Sequence, residues 1–529
     1  YAGEGKMKVE LYDTTLRDGA QAQGISFSVS DKLKIAEKLD ALGVHYIEGG
    51  WPGANPKDVD FFKKAKNLKL VNSKLVAFGS TRRANADVSN DATMKGLLRS
   101  GTDVITLFGK SWDLHVKEVL KTTLGENLNM IKDSVEYLKS NGKFVMFDAE
   151  HFFDGYRENP EYALKTLAAA EDGGAKRIIL CDTNGGTLTS DIFKIVGEVK
   201  KRIRSDLGIH THNDNDMAVA NSIAAVQTGC VQVQGTMNGY GERCGNADLV
   251  AIIGNLKMKL GINCVSDASL RALTETAHYI AEICNMKLSD TQPFVGANAF
   301  AHKAGVHVNA IMKNSRSYEH ENPALIGNRR TLLISELSGK SSILKKAQEM
   351  NLVLKKEASD TKKILKALQD LEHKGYHFEA AEASLELFMK RAVKKIKKFF
   401  EFKDFRVIVG KRSPGRITSE AVVKLTVGGK LEHTASLGDG PVDALDSALR
   451  KSLKDFYPSL NEMHLTDFKV RVLDEKAGTA AKVRVLIQSQ DKTRSWWTIG
   501  VSENIIEASW QALVDSVEYK LMKDSEKKN

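Results

Sequence analysis

Two imidazoles one residue apart, His210-Thr-His212, followed directly by Asn213 and Asp214, form the most chemically loaded stretch of this 529-residue chain. Along a β-strand, residues two apart share one face, so both rings would converge on a single point. The run before them is short and apolar, which predicts a strand carrying the pair at its C-terminal end, where α/β barrels place their chemistry. Convergent imidazoles suit a divalent metal. A second strand-like run, Val9 to Leu16, leads into Arg17-Asp18-Gly19, and Asp18 offers an oxygen ligand to the same ion. Imidazole with carboxylate fits Zn, Mn or Co, and Mg with fewer nitrogens. An isolated H-x-H pair is more readily read as hydrogen-bonded core histidines, so the decision falls to the elements that would position it.

From Lys8 to about Glu242 one rhythm repeats: a short β-branched or apolar run, then an amphipathic helical stretch. Eight such runs begin near Val9, Tyr46, Lys74, Val104, Lys143, Arg177, Gly208 and Val231. Eight βα units in roughly 250 residues predict a (β/α)8 TIM barrel. In that frame Asp18 follows strand one, Glu48 ends strand two, Glu150 and His151 end strand five, and Asp182-Thr183-Asn184 end strand six. His210 and His212 end strand seven, and Gly239-Tyr-Gly-Glu-Arg-Cys-Gly-Asn246 forms the loop after strand eight. Polar residues therefore gather at one face of the barrel. That coincidence favours the metal-site reading of the histidines.

The barrel is expected over residues 1–275, a helical connecting region over 276–400, and a third domain over 401–529. The last part carries an internal repeat: Asp404-Phe-Arg-Val407 returns as Asp467-Phe-Lys-Val470, and Asp443-Ala-Leu-Asp-Ser-Ala-Leu449 as Glu507-Ala-Ser-Trp-Gln-Ala-Leu513, about 63 positions on. Each copy reads as three strands and a helix, giving a small α+β domain of two similar halves. Gly438-Asp439-Gly440-Pro441 opens the first helix and Asn504 caps the second. Such N-termini can hold a carboxylate, although ordinary capping explains them too.

Composition narrows the partners. Hydrophobic residues make up 42% of the chain with only 8 prolines, as in an ordered globular protein, and no apolar run is long enough to span a bilayer. The formal charge of +10 is regional, concentrated between Lys340 and Lys398. Lys394-Lys-Ile-Lys-Lys398 continues a helical pattern and reads as a solvated face, with no aromatic interleaving of the kind that binds nucleic acid. Cys181, Cys230, Cys244, Cys264 and Cys284 are widely separated and include no C-x-x-C, as expected of reduced thiols in an intracellular enzyme. The expectation is a cytoplasmic protein. The chain begins at Tyr1 rather than Met, so an upstream piece and import into an organelle stay open.

Three motifs, Asp13-Thr-Thr-Leu-Arg-Asp-Gly19, His210-Thr-His-Asn-Asp214 and Gly241-Glu-Arg-Cys-Gly-Asn246, together resemble the acyl-CoA-dependent condensing enzymes typified by 2-isopropylmalate, homocitrate and citramalate synthases. The likeness covers nearly the whole chain, and the paired repeats after Phe400 look like that family's C-terminal regulatory domain. Aldol-type lyases of the same barrel superfamily lack such a domain. Ile47-Glu-Gly-Gly-Trp-Pro-Gly53 and the stretch Val501 to Leu513 look most like the citramalate branch.

The resemblance implies acetyl-CoA and pyruvate as substrates and a metal held by Asp18, His210 and His212, with Asn246 as fourth candidate. Arg17 is implied to stabilise the alkoxide, Glu150 to orient Arg17, and Thr183 to bind the substrate carboxylate; Glu150 and Thr183 also fit a structural polar network. In Ala301-His-Lys-Ala-Gly-Val-His307, His307 matches the position associated with enolate formation, and Tyr318 follows. Both lie outside the barrel, on an arm expected to close over its mouth. His302 is closer to a packing or hydrogen-bonded residue. Asn309 stands where some members carry an acid. Lys303, Arg329 and Arg330 are weak candidates for CoA phosphates. Phe78, Leu107 and Phe108, at the ends of strands three and four, are expected to restrict the oxo acid to a methyl side chain; a roomier pocket would point to 2-isopropylmalate instead. Isoleucine is the implied feedback inhibitor at Asp439, Gly440, Pro441 and Asn504, and a homodimer the implied assembly.

Overall fold

The computed structural model describes residues 8–52, 55–303, 305–332, 359–378, 381–393, 398–411, 415, 417–473 and 481–526. Eight strands close into a barrel in sequence order: β1 (Glu10–Asp13), β2 (Tyr46–Gly50), β3 (Lys74–Ser80), β4 (Val104–Lys110), β5 (Phe144–Glu150), β6 (Arg177–Asp182), β7 (Asp206–Thr211) and β8 (Gln232–Gly235). All pairings are parallel, and β1 joins both β2 and β8. β1 is shorter than the expected run to Leu16. The backbone turns at once, with the N–H groups of Arg17 and Gly19 donating to Thr14 O, and this turn sets Arg17 and Asp18 at the mouth.

Alternation along the strands divides their side chains between two layers. Leu11, Ile47, Ile105 and Ile209 face the surrounding helices in one large core. Their neighbours Tyr12, Tyr46, Val104, Met146 and Ile179 fill the barrel interior. The interior is packed, so ligands are confined to the mouth. The helices are stopped by local chemistry: Val29–Leu42 starts on a Ser28/Asp31 capping box and ends at Gly43, whose φ of 88° suits glycine.

The barrel core continues past the expected boundary at residue 275. Helix Leu273–Ile283 buries Leu273, Ala277 and Ile280, one apolar stripe, and Phe294, Phe300 and Ile326 join the same core. Residues 1–300 and 320–330 accordingly form one compact unit.

The second unit comprises residues 301–319 and 331–529. Its short strands β9 (Ala301–His302) and β10 (Thr331–Leu332) pair in parallel. The repeat is present as expected: β11 (Glu401–Lys411), β12 (Ile417–Val427) and β13 (Lys430–Gly438) precede helix Pro441–Leu453, and β14 (His464–Val472), β15 (Val483–Gln490) and β16 (Ser495–Ser502) precede helix Ile505–Glu526. Each three-stranded sheet is antiparallel. Helix Glu382–Ala392, expected in the connecting region, shares this core through Ala383 and Leu387. Of the lysine-rich segment, residues 394–397 lie outside the described residues. Among the described residues no helix is long and apolar enough to cross a membrane. All five cysteines are unpaired, Cys244 alone being exposed.

Candidate active site

Asp18, His210 and His212 meet at the barrel mouth, all buried, with one ligand atom of each within 4.8 Å of the others. His210 Nε2 lies 3.5 Å and His212 Nε2 3.8 Å from Asp18 Oδ2, and the two Nε2 atoms are 3.3 Å apart. Burial first, and then its neighbour His210, holds the His212 ring at about 4; burial likewise holds His210 below its ordinary value. Both rings are neutral at neutral pH. His210 Nδ1 is 3.0 Å from Gln234 Oε1, and Gln234 donates Nε2–H to Asp148 at 3.0 Å. A protonated Nδ1 in that contact leaves Nε2 as a bare lone pair facing the carboxylate. Burial raises the Asp18 carboxyl, but the charges beside it, the Arg17 guanidinium first and then the two rings where acid protonates them, outweigh it and hold the group below its ordinary value. Two imidazole lone pairs and a carboxylate converging at this spacing form the donor set of a divalent cation.

Asn246 joins the cluster through the sharp loop after β8. Gly245 has φ +89°, and a Cβ there would lie 2.1 Å from Gly239 O, so only glycine lets the loop double back. Asn246 thereby pairs with His212 and bonds toward Asp18, while its Oδ1 is buried without a hydrogen-bond partner. That orphaned oxygen fits a fourth ligand.

Arg17 is held by Glu48, not by Glu150. Arg17 Nε donates to Glu48 Oε1, whose carboxylate also accepts from Thr14 Oγ1 at 2.7 Å and from the Tyr12 hydroxyl. Burial opposes the Arg17 charge, but Glu48 and Asp18 outweigh it and push its pKa up. The guanidinium lies 3.8 Å over the Phe78 ring. Glu150 instead pairs with Lys110 Nζ at 2.5 Å. Register explains the difference: Lys110 and Glu150 are direct partners across β4 and β5, whereas β2, which carries Glu48 at its centre, lies beside β1. A carboxylate inside the five-residue buried strand Tyr46–Gly50 was the available signal for Glu48, whose role went unassigned.

The cavity beside the cluster has a volume of about 550 Å³ and is lined by Arg17, Asp18, Phe78, Phe108, Glu150 and Thr183 among others. Thr183 Oγ1 accepts His151 N–H at 2.9 Å. Leu107 does not reach this cavity. Alternation on β4 turns it outward into the helix-facing core while Phe108 faces the pocket. Asp148 and Trp51 line the pocket too, and neither was singled out from the sequence as a site residue. Burial and then the charge of Glu48 push the Asp148 carboxyl well above its ordinary range.

The remaining candidates belong to the second unit. His307, on helix Gly305–Lys313, is exposed and stacks on exposed Tyr318, with ring centroids 4.1 Å apart. Asn309 is exposed. The histidine facing an acid is His302, 3.3 Å from buried Glu319, in keeping with a hydrogen-bonded role. Asn504 Oδ1 accepts the N–H groups of Ile506 and Glu507. Asp439 N–H donates to Asp443, and Gly440 is the N-cap of helix Pro441–Leu453 without a side-chain cap.

Residues 8–280 match the HMGL-like family model, residues 294–375 the homocitrate synthase post-HMGL domain-like model, and residues 379–521 the LeuA allosteric (dimerisation) domain. The (R)-citramalate synthase of Aquifex aeolicus is 56% identical over 98% of this chain and 99% of its own. That of Geobacter sulfurreducens is 55% identical over 98% of each chain. The 2-isopropylmalate synthase of Methanocaldococcus jannaschii is 30% identical over 96% of this chain and 94% of its own. The chain belongs to the citramalate and 2-isopropylmalate synthase family. It is therefore an enzyme of a family of condensing acyltransferases that use acetyl-CoA. Within the family, the 56% and 30% matches put it much nearer the citramalate synthases, as the Trp51-containing motif had suggested.

Proposed function

We propose that this enzyme condenses acetyl-CoA with pyruvate and hydrolyses the thioester, giving citramalate and CoA on the route to isoleucine. The observation that carries the reading is the Asp18–His210–His212 cluster beside an Arg17 braced by buried Glu48, next to an aromatic wall of Phe78 and Phe108. A divalent cation held by Asp18, His210 and His212, with Asn246 beside them, would supply Lewis-acid polarisation of the keto oxygen. Arg17 contributes a permanent positive charge to the oxygen that becomes an alkoxide, and Glu48 fixes its direction. Thr183 and the neighbouring backbone orient the substrate carboxylate. His307 takes the proton from the acetyl methyl, with Tyr318 stacked beneath it to hold the ring. Phe78 and Phe108 favour a small substrate side chain.

The matched dimerisation model supports a homodimer. Leu431 and Leu437 on one face of the first sheet are 61% and 71% exposed, whereas Leu486, Ile499 and Val501 of the second sheet pack with Leu385 and Phe388 of a neighbouring helix. Isoleucine is the effector this reading assigns to the helix N-terminus at Gly440.

Thiol release from acetyl-CoA against a panel of 2-oxo acids tests the reaction. Pyruvate should give the highest kcat/KM. Preference for 2-oxoisovalerate would transfer the enzyme to the isopropylmalate reaction.

A further inference from the structure

β2 closes on Glu48-Gly49-Gly50, with a register irregularity between Glu48 and Gly50, and the chain leaves it at Trp51 over a buried ion pair. Lys32 donates from Nζ to Gly49 O at 3.0 Å and to Asp58 Oδ1 at 2.6 Å, and Asp58 Oδ2 accepts the Trp51 N–H at 2.9 Å. Neither glycine tolerates a side chain: a Cβ on Gly49 would lie 2.4 Å from Phe61, and one on Gly50, at φ +136°, 2.4 Å from Asp58. Desolvating two charges is costly unless other bonds are satisfied, and here those bonds all go to the backbone that presents Trp51. The indole meets Phe108 edge-on at 5.5 Å and Phe78 at 6.3 Å, while the two phenyl rings stack at 5.2 Å. Phe78 in turn carries the Arg17 guanidinium. Three rings from three successive strand ends thus close one side of the cavity that holds Arg17 and the histidine cluster.

We propose that Trp51 is a specificity-determining residue, whose ring closes the apolar recess formed with Phe78 and Phe108 and limits the 2-oxo acid to a methyl side chain. This rests on the pyruvate reading above. Phe78 and Phe108 come from barrel strands, where side-chain direction is set by the pleat. Trp51 stands just past the end of β2, and its bulk is the part of the wall that can be removed without touching a strand. The Lys32–Asp58 pair positions it.

The test compares full-length wild type, Trp51→Ala and Trp51→Phe, measuring kcat/KM for 2-oxobutanoate and 2-oxoisovalerate relative to pyruvate by thiol release. Trp51→Ala should raise both ratios by at least about tenfold, the scale of one or more methylenes in an apolar pocket. Trp51→Phe, which keeps an aromatic ring, should move them less. If the alanine variant does not fold, Trp51→Leu carries the same comparison. Ratios unchanged in a folded small-residue variant of an enzyme that prefers pyruvate would overturn the role of Trp51 alone. A wild type that prefers 2-oxoisovalerate would overturn both the reaction and the size limit.

Discussion

The barrel mouth and the segment from residue 301 to 319 carry the two halves of the proposed chemistry on opposite physical terms. At the mouth the proposed groups are buried or half-buried, and several are cross-braced: Arg17 by Glu48, Glu48 by Tyr12 and Thr14, and His210 by Gln234, which also bonds Asp148. His307 and Tyr318 are exposed and rest on each other, in a different compact unit. Electrostatic groups gain from burial, because a low dielectric strengthens their fields and spares reorganisation during reaction. A base that must release its proton between turnovers is better kept near solvent. The contrast is consistent with the proposed division, in which the barrel orients the oxo acid and the second unit handles the proton.

Removing a metal ligand should have the largest effect. His212→Ala should abolish bound metal, read by elemental analysis, and with it detectable condensation, while circular dichroism stays close to wild type because the barrel core lies elsewhere. Retained metal and turnover would break the assignment of the cluster. His307→Ala should slow condensation by about 10²–10⁴-fold, the usual range for a positioned base. Pyruvate binding should persist in that variant and exchange of the acetyl-CoA methyl protons disappear. Loss of pyruvate binding instead would mean that the two regions do not divide the labour.

Glu48→Gln sharpens the comparison from the barrel side. It keeps the shape but removes the charge facing Arg17, and should lower kcat by about 10–100-fold, as losses of supporting partners do. Glu150→Gln should do less, since Glu150 faces Lys110. A larger loss for Glu150 would reinstate it as the partner of the reacting groups. The smallest change in basal rate is expected for Gly440→Val, because a Cβ at Gly440 meets nothing within 4 Å. That variant should lose isoleucine inhibition, a coupling of about 5–150-fold in apparent affinity for typical effectors. Leucine should inhibit wild type less than isoleucine does.

Much of the barrel was legible because periodicity is local. The eight runs near Val9 to Val231 each became a strand, and the duplicated motifs each became three strands and a helix. His210 and His212 were placeable for the same reason, since the period of two puts them on one face whatever surrounds them. The boundary at residue 275 was less legible: helix Leu273–Ile283 carries an apolar stripe that fits either domain, and only packing against the barrel core assigns it.

The sequence by itself determined the barrel, the duplication, the residue types of the Asp18–His210–His212 cluster and the family. Tertiary structure alone decided that Glu48 rather than Glu150 holds Arg17, that Leu107 faces the helices, and that Trp51 completes the aromatic wall. These are choices between residues that lie far apart in the chain, Arg17 being 31 positions from Glu48 and further still from Glu150. They are settled by strand order and by register across the barrel, which sets β1 beside β2 and Lys110 opposite Glu150; no local periodicity carries that information.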